Sequence, residues 1–157
     1  MPVPTKRLVL AVCSLMLLAA ACGDDDNTLQ GAPLIEKSAA IEQGDAICAS
    51  LVADVKTLVE QFKAEHQAPS NADARDFLVT TLLARIDRGI GDLHRLGEPT
   101  NDRVGFDEAI LAVDEDLSAL KTAVSADPIK VLNNPIPLFV TSAKPFTDYG
   151  FKECGKV

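Results

Sequence analysis

The residues with the widest chemical reach are four cysteines, Cys13, Cys22, Cys48 and Cys154. A dithiol that shuttles electrons normally has C-x-x-C spacing, in which a neighbouring group lowers one thiol's pKa. No two of these cysteines stand that close, and the haem-attachment spacing C-x-x-C-H is missing as well. His66 and His94 are the only histidines. They fall on different expected helices and lack the H-E-x-x-H spacing that turns two imidazoles toward one zinc ion. At the end of its helix, a protonated His66 would suit the dipole. Gly89-x-Gly91 lies inside a helical pattern, follows no strand and has His94 where a dinucleotide loop has its third glycine. A Walker loop and a G-x-S-x-G elbow are absent. The three aspartates 24–26 are not followed by a calcium-loop pattern. Carboxylates could form an acid–base pair only where the fold gathers two in one pocket; a solvated acidic face is the simpler reading. No catalytic residue, metal or cofactor is therefore expected.

The elements that would position these groups are helical. Ile41, Cys48, Leu51, Val52, Val55, Leu58, Val59 and Phe62 recur at helical spacings and form one apolar stripe, with Cys48 on it. This helix should end near His66, before the break at Ala68-Pro69. Ser70-x-x-Asp73 resembles a capping box and opens a second helix. That helix buries Phe77, Leu78, Leu82, Ile86, Leu93 and Leu96 and stops at Gly97. Gly89 and Gly91 either weaken its middle by about 1 kcal/mol each relative to Ala or admit a close neighbour. A third helix carries Phe106, Ile110, Val113, Leu117, Leu120 and Val124 inward, with Asp107, Glu108, Glu115 and Asp116 mostly outward. Asp127-Pro128 combines an N-cap with proline at the first helical position. The fourth segment is interrupted at Asn133-Asn134-Pro135-Ile136-Pro137, and Pro145 is expected to kink or locally break the following helix. Gly150 should form a left-handed C-cap over which Phe151 folds back. The expected fold is all-α: a four-helix-bundle-like domain over 33–157 with a proline-broken last helix, after a signal peptide and a flexible tether.

Lys6 and Arg7 precede an apolar or weakly polar run from Leu8 to Ala21. Those 14 residues fall short of the roughly 20 needed to span a bilayer. The layout is that of a secretory signal peptide, residues 1–21. A twin-arginine pair is absent, which favours the general export route. Residues 1–21 hold two of the 15 basic side chains and none of the 23 acidic ones. The mature part therefore carries 13 basic and 23 acidic groups over 136 residues, a formal charge of −10. Such a surface argues against nucleic acid, whose binding is driven by basic groups that displace phosphate counterions. It argues equally against direct docking on anionic headgroups.

Leu18-Ala19-Ala20-Ala21-Cys22 resembles a lipobox, the small-residue site at which bacterial lipoproteins are cleaved before an acylated cysteine. It departs from the usual pattern in having Ala19, not Leu, three residues before the cysteine. The resemblance implies long acyl chains such as palmitate on Cys22, with residues 22–32 as lipidated cysteine and acidic tether. Ala19-Ala20-Ala21 also fits ordinary A-x-A cleavage, which would release a secreted chain with a free Cys22. Lipidation leaves an even pair, Cys48 and Cys154. Exported compartments permit these two to join as a disulfide, with two buried free thiols as the alternative. The crosslink would close a loop of about 106 residues, worth roughly 4–5 kcal/mol of chain entropy.

Gly44-Asp45-Ala46-Ile47-Cys48, Leu96-Gly97-Glu98-Pro99 and Tyr149-Gly150-Phe151-Lys152-Glu153-Cys154 together resemble small exported lipoproteins of actinobacterial type. The resemblance implies a lipid-anchored, disulfide-stapled helical domain of uncharacterised function, and no catalytic residues come with it. The expected address is the outer face of the cytoplasmic membrane, or the periplasmic side of an outer membrane in a two-membrane host. Attachment is expected through the lipid alone. The leading expectation for function is a non-enzymatic binding or interaction module with an envelope protein partner. A second is a carrier or sensor of a small apolar molecule, held in a cavity beneath residues 133–146 lined by Phe139 and Phe146. A third is an envelope hydrolase with paired carboxylates.

Overall fold

The structure, a computed structural model, describes residues 34–134, 136 and 138–156. The signal segment, Cys22 and the acidic tether lie outside the described residues. The long apolar stripe of the first helix is realised in α1, Lys37–Glu65, whose inner face buries Ala40, Gly44, Cys48, Leu51, Val55 and Phe62. His66 is its C-cap, and the ring stacks on Phe62 at 4.5 Å between centroids. Val52 departs from the expectation: it belongs to the apolar stripe by spacing, yet it is 41% exposed.

The second rod starts at the anticipated capping box. Ser70 Oγ accepts from the Asp73 N–H while the Asp73 carboxylate accepts from the Ser70 N–H. The rod runs as α2 (Asn71–Asp76), a π-helical stretch (Phe77–Leu83) and α3 (Ala84–His94) without a break. Its core residues Leu78, Leu82, Ile86 and Ile90 are all buried and all four residues apart. At 3.6 residues per turn, four-residue steps would drift around the helix. The wider π turns absorb part of that drift and keep these side chains on the core face. At Gly89 a Cβ would stand 2.9 Å from Leu51 Cδ2, so this glycine admits close packing of α3 on α1.

The third rod, α4 (Arg103–Ala126), buries Phe106, Ile110, Val113, Leu120 and Val124, as their steps of four and three require. It opens at Asp102, which holds a left-handed φ of 59°. The fourth segment is split into α5 (Pro128–Asn133) and α6 (Ala143–Tyr149). Asp127 caps α5 by accepting the Lys130 N–H at 2.9 Å. The expected kink at Pro145 does not occur. Pro145 is the third residue of α6, within the first turn, where a helix leaves its N–H groups without internal partners anyway. Proline therefore removes no helical hydrogen bond there.

Among the described residues, five continuous helices (α1, the α2–α3 rod, α4, α5 and α6) thus form a bundle-like all-α domain with a proline-interrupted last arm. The sequence pattern did not anticipate one small addition: β1 (Leu34–Ile35) and β2 (Glu98–Pro99) pair in parallel, Leu34 opposite Glu98. The Thr100 N–H extends the pairing to the Ile35 carbonyl at 2.8 Å. This tie anchors the chain ahead of α1 to the loop between α3 and α4. Among the described residues, no helix is long and apolar enough to cross a membrane.

Candidate functional site: a closed clasp and an open groove

Cys48 and Cys154 are joined as a disulfide, with Cα atoms 5.1 Å apart and both residues fully buried. The local sequence explains how the tail reaches α1. Gly150 ends α6 at φ 119°. Its N–H donates to the Thr147 carbonyl at 3.1 Å, and the Phe151 N–H donates to the Phe146 carbonyl at 2.9 Å. Those two bonds and the 5.1 Å edge-on contact of Phe146 with Phe151 make a complete Schellman cap. The cap lays the Phe151 ring over Gly44, where a Cβ would overlap it. One residue on, Asp45 accepts the Lys152 N–H at 2.9 Å and the Glu153 N–H at 2.7 Å. The motifs around Cys48 and Cys154 therefore form one clasp: glycine for space, aspartate for the free N–H groups, cysteine for the covalent tie.

A second carboxylate works the same way and corrects its expected outward position. Asp116 is only 5% exposed. It accepts the Thr141 N–H at 2.8 Å, the Ser142 N–H at 2.9 Å and the Ser142 hydroxyl at 2.7 Å. A buried carboxylate needs such partners, and here they fix the non-helical residues just before α6. Phe139 and Phe146 also differ from expectation. They are 2% and 0% exposed and meet edge-on at 5.9 Å. They fill the core beneath the segment, so the anticipated cavity is not between them.

The space lies beside them. A groove of about 490 Å³ separates α1 from the segment after α5. Val52, Val55 and Val59 line one wall, and Ile136 and Leu138 line the other. Lys56, Glu60 and Lys63 stand along the α1 rim, and Asn133 and Asn134 on the facing side. Among the described residues no helix covers α1 at this point, and Val52 is left exposed. Lys56 reaches Glu60 only at 3.9 Å with both side chains largely in solvent, whereas Lys63 has no ion-pair partner among the described residues.

Carboxylates also gather around two smaller hollows. Asp102, Glu108 and Asp148 line one of about 360 Å³ together with Tyr149. Lys37 binds Asp102 at 2.6 Å and lies 4.1 Å from the Tyr149 ring centroid; Lys144 pairs with Asp148. The hydrogen bond from Lys37 holds the Asp102 carboxyl below its ordinary range, the wrong direction for a general acid at neutral pH. Burial raises the Tyr149 phenol, with a smaller push from Asp102. Its hydroxyl has no hydrogen-bond partner among the described residues. The other hollow, about 250 Å³, includes Glu98, Asp107 and Asp114. Arg103 pairs with Glu98 at 3.0 Å, and His94 meets Asp114 at 2.9 Å. His66 and His94 are not brought together, and no group of three or more metal-ligating side chains converges among the described residues.

Comparison with family models, curated proteins and solved structures returns no significant match. The chemistry of this chain must therefore be argued from its own residues. Sequence reasoning reached Cys48 and Cys154 and placed a cavity beneath residues 133–146, but it gave that cavity the wrong lining, Phe139 and Phe146 in place of the α1 valines, and it missed Asp116. Asp116 has no local signal, because its partners lie 25 and 26 residues away. The groove had one signal: an apolar α1 stripe facing a stretch that prolines prevent from becoming a covering helix.

Proposed function

We propose that this chain is an exported lipoprotein, acylated on Cys22, whose helical domain serves as a non-enzymatic binding module at the outer face of the cytoplasmic membrane. The groove between α1 and Asn133, Asn134, Ile136 and Leu138 carries this reading. It is larger than either carboxylate-lined hollow, its walls are apolar, and it sits in a size range typical of ligand sites, about 300–1,000 Å³. The saturated carboxylates support the non-enzymatic half of the reading. Asp45 and Asp116 spend their lone pairs on backbone N–H groups, leaving them engaged in holding the fold. The address is supported by the signal layout and the lipobox-like residues 18–22, and the clasp motifs support kinship with small actinobacterial-type lipoproteins.

Two measurements test the two halves. Intact mass of the mature N-terminal peptide should show acyl chains on Cys22; a free thiol there overturns the anchor. In-cell crosslinking from a photoreactive residue at position 52 should capture a discrete ligand or envelope partner. Crosslinks no different from those at exposed Val79, outside the groove, would overturn the binding reading.

A further inference from the structure

We infer that the α1 groove is a site for a single-chain anionic amphiphile: an acyl chain laid on the valine wall, its carboxylate or phosphate head held by lysine. This rests on the reading of the domain as a binding module and names the ligand class of that site. Three observations carry it. The first is the length and chemistry of the wall. Val52, Val55 and Val59 succeed one another on one face of α1, and seven residues of helix span about 10 Å. That is a continuous apolar track suited to several methylenes, each worth about 0.8 kcal/mol on burial.

The second is charge. The mature chain is strongly acidic, yet the groove's charged side chains are Lys56, Lys63 and a single Glu60. Lys56 stands beside the middle of the track, 3.9 Å from Glu60. Lys63 lies one helical turn beyond Val59, so an ammonium without an ion-pair partner among the described residues is available past one end of the track. The groove's lining is thus net positive by one, in a mature chain whose formal charge is −10. The third is the sequence of the facing segment. Between the wall residues Asn134, Ile136 and Leu138 the sequence has two prolines, which carry no N–H. A peptide pairing its main chain with this segment would find few donors, whereas an acyl chain needs none.

The test uses the full chain reconstituted into nanodiscs of diacyl phosphatidylcholine and native mass spectrometry with five probes: palmitate, palmitoyl lysophosphatidate, hexadecanol, acetate and inorganic phosphate. The expected result is one-to-one saturable binding of palmitate, lysophosphatidate or both, which separates the carboxylate from the phosphate source. Hexadecanol should bind about tenfold more weakly, and acetate and phosphate not at all. Lys56→Glu with Lys63→Glu should bring the anionic probe down to the level of hexadecanol. Val52→Glu, at an already exposed position, should abolish binding of every chain-bearing probe while circular dichroism and thermal unfolding stay unchanged. No saturable binding, or binding indifferent to both variants, overturns the inference. If no amphiphile binds while position 52 still crosslinks an envelope protein, the ligand class is wrong and the binding-module reading stands.

Discussion

Two neighbouring stretches of α1 have opposite fates. Around Gly44–Cys48 the helix is covered by an aromatic ring, hydrogen-bonded to the tail and covalently tied to Cys154. From Val52 to Lys63, only a turn further on, the same helix presents valines to an open groove. The difference comes from what the last segment of the chain can do at each place. After Gly150 it turns sharply and packs; between α5 and α6 its prolines deny it a helical face. The lesson is one of division of labour: the clasp holds the interrupted arm in place, so a gap can persist where another helix would have closed it.

Breaking the clasp should have the largest effect. Cys48→Ala with Cys154→Ala, or full reduction, should cost about 4 kcal/mol on the loop-entropy account, read from denaturant unfolding. A cost below about 1 kcal/mol would mean that the noncovalent clasp suffices alone. Next comes Asp116→Ala, which leaves the part-buried Thr141 N–H and the buried Ser142 N–H and hydroxyl without their acceptor; about 3 kcal/mol is expected. Hydrogen exchange should quicken at Thr141 and Ser142, while protection of the Lys152 and Glu153 amides, which Asp45 holds, is retained. Loss of both together would show that the two regions are not independent.

Gly44→Ala probes the clasp by overpacking. A methyl there collides with Phe151, and about 1–3 kcal/mol is expected, with α6 loosened in hydrogen exchange. In the groove, Val52→Ser should change stability by less than about 0.5 kcal/mol, because Val52 is already 41% exposed. The smallest effect belongs to a site outside both regions. Hydrogen bonds from the Ser70 side chain and backbone hold the Asp73 carboxyl below its ordinary value of 3.8. Its contribution to stability is therefore complete above that value and is lost as pH falls through the lower folded pKa. Ser70→Ala should flatten this acid-side dependence, as seen in unfolding midpoints measured between neutral pH and pH 3. An unchanged slope would show that the capping box adds nothing in the folded chain.

Local signals made much of this legible. The alternating four- and three-residue steps of α4, the Ser70 and Asp127 caps and the Gly150 turn each depend on residues within one helical turn. The π stretch was not anticipated, although the run Leu78, Leu82, Ile86, Ile90 carries a trace of it, since uniform steps of four do not suit a regular α-helix. The hidden features are non-local. In sequence Asp116 is indistinguishable from a solvated carboxylate on α4, because only the backbone of residues 141–142 sets it apart. The two-residue strands are too short to show any alternation. Spacing alone assigns Val52 to the core, because an apolar stripe says which face turns inward, not whether another element arrives to cover it.

The proposed division gives the clasp a structural role and the groove the ligand. Methyl NMR of the full chain, titrated with palmitate, tests that division most directly. Saturable shifts are predicted at Val52, Val55, Val59, Ile136 and Leu138. Ile41, which lies against Gly150, and Ile47 should be left unmoved. Shifts centred on Ile41 and Ile47, or none at the valines, would contradict it.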